Sequence, residues 1–114
     1  MLVVSLCAGW CHVCEDYRSR FEQVRLRVQA DYPQCRFVWL DIEDEADLLE
    51  PLDVENFPTV LIGAGTEPRF FGVIGPQVAV LERMVRMTLQ DSSAMPLRDP
   101  EVTALLARIL SMPA

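Results

Sequence analysis

The chain has no lysine: all ten basic residues are arginine, set against seventeen acids, for a net charge of −7. The choice of arginine over lysine is read as a mark of base composition and carries no mechanism. The acid excess argues against nucleic acid and against an anionic membrane as partners, because both need basic patches. No run approaches the roughly 20 apolar residues that span a bilayer. The apolar start, Met1 to Leu6, lacks the basic region that opens a secretory signal. The expected setting is therefore cytoplasmic, with no membrane partner. No internal repeat occurs. The Asp41–Asp47 tract holds five acids and no base, and reads as a solvated loop leading into a helix.

What is present fits one domain. At 114 residues, 51% hydrophobic and 24% charged, the chain is long enough to bury a real core. It has four cysteines. Without an export signal, four cysteines in so short a chain point to redox or metal chemistry rather than a structural disulfide framework.

Two of them stand three positions apart in Trp10-Cys11-His12-Val13-Cys14. The stretch follows an apolar run, Leu2 to Cys7, that reads as a strand buried on both faces. After it, Cys14, Tyr17, Phe21, Val24 and Val28 recur every three or four residues. That spacing predicts an amphipathic helix from Cys11 to about Ala30, stopped by Tyr32-Pro33. On a helix, positions three apart share a face, so the two sulfurs are close enough to form a disulfide. The first sulfur would sit on the unpaired N–H groups of the first turn, which favour a thiolate.

Further along, Arg36–Asp41 reads as a second strand, parallel to the first across the helix. A short helix is expected over Glu45–Leu52. Strands at Thr59–Ile62 and Arg69–Phe71 flank a hairpin signal, Gly63-Ala64-Gly65-Thr66. Gly75-Pro76 opens a helix with an apolar stripe of Val78, Leu81, Val85, Thr88 and Leu89. A polar linker, Asp91 to Leu97, leads to Asp99-Pro100-Glu101, a strong helix start. That last helix would bury Val102, Leu105, Leu106, Ile109 and Leu110.

The order of strand, Trp10-Cys11-x-x-Cys14, helix, strand, Phe57-Pro58-Thr59, hairpin and helix resembles the thioredoxin family from about Leu2 to Gln90. The resemblance implies an α/β fold, a thioredoxin-like three-layer α/β/α sandwich. Its four-stranded mixed sheet would run in the order 2-1-3-4, with an extra C-terminal helix. Residues 1–90 would form the thioredoxin-like domain, and 91–114 a linker plus a helix packed on the same domain. The implied activity is thiol–disulfide oxidoreduction through a redox-active Cys11–Cys14 disulfide, with no other cofactor and no metal. Cys11 would attack a protein disulfide and Cys14 would resolve the mixed disulfide. His12 and Val13 would modulate the pair. Trp10, Phe57 and a cis Pro58 would form the docking surface, with Gly72 letting a substrate approach. Partners would be protein disulfides or dithiols and a reductase or thiol pool for recycling.

Three departures qualify the resemblance. Ser5 stands where the family has a buried carboxylate, and Trp39 where that carboxylate has a lysine neighbour. The inner residues are His12-Val13 rather than Gly-Pro. The family's first strand and helix have no counterpart here, so Arg36–Asp41 is expected to be a sheet edge. Such an edge invites pairing. It is expected to be covered by the 91–114 segment or by a second copy in a homodimer. Cys7 reads as a small buried core residue and Cys35 as unpaired. Two alternatives stay open: a thioredoxin-fold client-binding or carrier module with little turnover, and a zinc-binding domain using Cys7, Cys11, Cys14 and Cys35.

Overall fold

The computed structural model describes residues 1–8, 12–49, 59–73, 78–90 and 96–112, and only the backbone of His12, Val13, Ala46, Leu48 and Val78. Its centre is strand β1 (Leu2–Cys7), in which all six residues are buried. A strand with an element on each face reads as a continuous apolar run, and this one does. Helix α1 (His12–Asp31) carries the chain over to β2 (Arg36–Asp41). The two strands pair in parallel from Leu2↔Arg36 to Cys7↔Asp41. On its other side β1 pairs antiparallel with β3 (Thr59–Ala64), which pairs with β4 (Glu67–Val73). The order is β2-β1-β3-β4 as expected. Among the described residues three further helices are formed: α2 (Ala46–Leu49) between β2 and β3, then α3 (Val78–Gln90) and α4 (Pro100–Leu110) after the sheet.

Strand alternation divides the core into two layers. Val3 and Cys7 face α1 and α3, packing with Cys14, Tyr17, Phe21, Val24, Val28, Leu81 and Val85. Leu2, Val4 and Leu6 face the other way, against Leu49 of α2 and Val102, Leu105, Leu106 and Ile109 of α4. The α1 stripe read from the sequence is wholly buried. Leu110 departs from expectation and is exposed. It follows Ile109 by one position, about 100° round the helix, and so turns off the buried face.

Local chemistry explains the connections. The β3–β4 hairpin turns on Gly65 at φ +62°, and no other described residue has positive φ. Positive φ at the first turn residue alone is the type II′ pattern, which glycine supplies without strain. Asp99 caps α4, its carboxylate accepting from the N–H groups of Glu101 at 3.0 Å and Val102 at 3.3 Å. Helix α4 lies close on β3, so a Cβ on Gly63 would come within 2.8 Å of a Leu106 methyl.

The expected cover for β2 is not α4. The C-terminal segment crosses the opposite end of the sheet, where Leu97 N–H donates to the Pro68 carbonyl of β4 at 2.7 Å. From there α4 runs over the sheet face rather than along the β2 edge. Its apolar stripe needs an apolar face, and the even-numbered residues of β1 offer one.

Candidate functional site

The site forms where β1 ends and α1 begins. The Ile42 N–H donates to the Cys7 carbonyl at 2.9 Å and holds the strand end in register beside β2. Cys7 is 1% exposed and Cys14, in the first turn of α1, is 2% exposed. Their Cα atoms are 5.8 Å apart and their sulfurs are joined in a disulfide. That spacing is within the ordinary disulfide range. Cys7 is thus more than the small packing residue read from the sequence; it is a covalent partner of Cys14. Strand parity signals this. Val3, Ser5 and Cys7 share a face, and α1 covers it.

The sulfur pair has two hydroxyl neighbours. Ser5 is fully buried, with its Oγ 3.8 Å from the Cys7 sulfur. Tyr17, one turn along α1 from Cys14, is also fully buried. Burial pushes its phenol well above the usual value of 10.0, and Ser5 pulls the other way. The two hydroxyls nonetheless do not meet in full hydrogen-bond geometry, and among the described residues the Tyr17 oxygen has no hydrogen-bond partner.

Ser5 and Trp39, which replace the carboxylate–lysine pair, are register partners on β1 and β2. Trp39 packs its ring against Tyr17 and Phe21 at 6.1 and 5.7 Å between centroids. The Arg18 guanidinium sits 5.3 Å over it. Where the family resemblance implies a buried charge pair, this core therefore has a hydroxyl and an aromatic cluster.

Gly72 pairs with Val60 of β3, and Val60 with Ser5, so Gly72 lies toward the same end of the sheet as Cys7. Trp10, Cys11, Phe57 and Pro58 lie outside the described residues, as do the side chains of His12 and Val13. Cys35 is a free, buried thiol. It precedes Arg36, whose N–H donates to Met1, whereas Cys7 is level with Asp41. At about 3.3 Å per residue, Cys35 lies about 20 Å along the sheet from Cys7. Thiolates on one zinc each lie about 2.3 Å from the metal. The four-cysteine zinc reading is therefore overturned: Cys35 and Cys7 cannot share an ion.

A family model described as Thioredoxin matches residues 1–85. The chain belongs to the thioredoxin family. Thioredoxin-3, mitochondrial, of Saccharomyces cerevisiae is 28% identical over 86 residues, which are 75% of this chain and 63% of that protein. This thioredoxin-family chain thus spans less than two thirds of that relative's length. The crystal structure of mitochondrial thioredoxin 3 from the same yeast, in its oxidized form, superposes with a TM-score of 0.61 at 24% identity. It covers 75% of this chain and 76% of that one. Human ERp44 superposes with a TM-score of 0.67 at 18% identity, over 76% of this chain and 24% of that one. At these identities the structural likenesses establish the thioredoxin fold.

Proposed function

We propose that this chain reduces or exchanges protein disulfides through Cys11 and Cys14. The observation that carries the reading is the Cys14 sulfur, buried at the head of α1 and engaged in a disulfide. A sulfur that the fold brings to a second sulfur supports a redox role for Cys14 over packing alone. In the proposed cycle the Cys11 thiolate attacks a client disulfide, and one client sulfur leaves as thiolate. Cys14 then attacks Cys11 in the mixed disulfide, freeing the reduced client and leaving Cys11–Cys14. A reductase or thiol pool in the cytoplasm restores the dithiol, and the cycle contributes to cell redox homeostasis. Trp10, Phe57, Pro58 and Gly72 dock the client, and His12 and Val13 tune the pair. Direction follows the reduction potential, with about 30 mV equivalent to 1.4 kcal/mol.

An insulin-reduction assay with dithiothreitol tests the proposal. The chain should accelerate turbidity over the dithiothreitol blank, and Cys11→Ser should abolish the gain. Cys14→Ser should trap mixed disulfides while Cys11→Ser should not; equal trapping by both would contradict the roles. One observation favours the carrier reading: while Cys14 is bonded to Cys7, it is not available to resolve a Cys11 mixed disulfide. No acceleration of insulin reduction would put that reading ahead.

A further inference from the structure

We propose that Cys7 is a third redox-active cysteine, competing with Cys11 for the sulfur of Cys14, so that the centre has two oxidised forms. The inference rests on the reading of Cys11 as the attacking thiol.

Two rigid elements bring Cys7 and Cys14 together. Cys7 ends the fully buried central strand, and its carbonyl is pinned by the Ile42 N–H. Cys14 lies in the first turn of a 20-residue helix packed on that strand. Their Cα separation of 5.8 Å suits a disulfide without moving either element. Cys11 directly precedes the first residue of α1 and stands three positions before Cys14. Cys14 thus has one potential partner along the chain and another beneath it. A sulfur forms one disulfide at a time, so the two pairings exclude each other.

The exchange between them is balanced and needs no oxidant. The Cys7 thiolate attacks the Cys14 sulfur of a Cys11–Cys14 disulfide. The Cys7–Cys14 bond forms, the Cys11–Cys14 bond breaks, and Cys11 leaves as thiolate. The proton lost by Cys7 ends on the Cys11 thiolate or on water, and Ser5 Oγ, 3.8 Å from the Cys7 sulfur, is within hydrogen-bond reach of it. Both buried cysteines are almost inaccessible, so Cys11 provides the fast route to the inner disulfide and direct attack by a bulky thiol the slow one. The first oxidation comes from a client disulfide or, in the test tube, from oxidised glutathione.

The consequence is a change of behaviour. With Cys7 and Cys14 both reduced, Cys14 resolves the mixed disulfide and the client leaves. With Cys7–Cys14 closed, Cys11 still attacks clients but no internal thiol releases them. The same centre then turns over under reducing conditions and retains clients under oxidising ones.

Disulfide mapping on the full chain tests this. Wild type, Cys11→Ser and Cys7→Ala are equilibrated in glutathione buffers, quenched in acid, alkylated and digested without reduction. Wild type should yield Cys7–Cys14 peptides with Cys11 alkylated in part of the population. Cys11→Ser should still close one internal disulfide, and Cys7→Ala should lose the inner linkage and yield only Cys11–Cys14. A wild-type chain with Cys7 alkylated at every glutathione ratio overturns the proposal. So does a Cys11→Ser chain that keeps Cys7, Cys14 and Cys35 all free at equilibrium. The map needs no client. Failure to reduce insulin would sink the oxidoreductase reading while leaving the linkage result intact.

Discussion

Tyr17 buries a hydroxyl that no described residue satisfies. An unpartnered buried polar atom costs about 1–3 kcal/mol, and removing it with the ring shape kept recovers part of that. Tyr17→Phe should therefore leave stability near neutral pH unchanged or raise it by about 1 kcal/mol in urea unfolding. Its pH signature is separate. The folded phenol is held above its ordinary value of 10.0 by burial, so its contribution is fully present below pH 10 and is lost as pH rises beyond it. The variant should show a shallower alkaline decline than wild type. An alkaline arm of unchanged slope would mean that Tyr17 ionises as easily in the folded state as in the unfolded one. Cys35 follows the same sign. Burial raises its thiol above 9.0, and the favoured form is the neutral one. In the reduced native chain it should react with iodoacetamide only slowly, and denaturant should abolish the lag. Fast native labelling of Cys35 would contradict its burial.

Packing between elements is most constrained where α4 meets β3. A methyl on Gly63 would press to 2.8 and 2.9 Å from the two Leu106 methyls, and Leu106 is fully buried. Gly63→Ala should cost about 1–3 kcal/mol through overpacking. Leu106→Ala should cost about 2–5 kcal/mol through the cavity it leaves. Together the two should lose less than their sum, because the added methyl meets empty space; a coupling below about 0.5 kcal/mol would deny the contact. Elements of this kind were partly legible beforehand. Leu2–Cys7 and Arg36–Asp41 announce themselves as continuous apolar or β-branched runs, and the α4 start is written in Asp99-Pro100-Glu101. The β3–β4 hairpin extends further than read, through Ala64 and from Glu67, because Gly65-Thr66 makes the whole turn. The course of α4 was not legible. Its stripe says that a face must be buried but not which face, and both the β2 edge and the sheet face are apolar. The partner of Cys14 was obscure for a similar reason. Local spacing displays Cys11, whereas Cys7 comes within reach only once strand and helix have packed.

At the scale of the whole molecule, the family match ends at residue 85, yet the sheet is not closed by the matched part. The face carrying Leu2, Val4, Leu6 and Leu61 is covered by Val102, Leu105, Leu106 and Ile109, all from α4. Burying a large aliphatic side chain stabilises by about 1.5–3 kcal/mol, so these four contribute about 6–12 kcal/mol between them. The Leu97 hydrogen bond to Pro68 adds a fixed point for the chain entering that helix. Helix α3, by contrast, is tied to α1 on the opposite face through Arg86, which reaches Asp31 at 2.8 Å and Glu82 at 3.0 Å. A chain ending at Gln90 keeps that clamp and every residue of the proposed site. It should still lose the cooperative thermal transition seen by circular dichroism and should bind anilinonaphthalene sulfonate, because one face of the sheet is left open. Retention of a sharp transition within a few degrees of the full chain would show that the sheet closes without α4. In that case the residues beyond the family match would be an attachment rather than a layer of the fold.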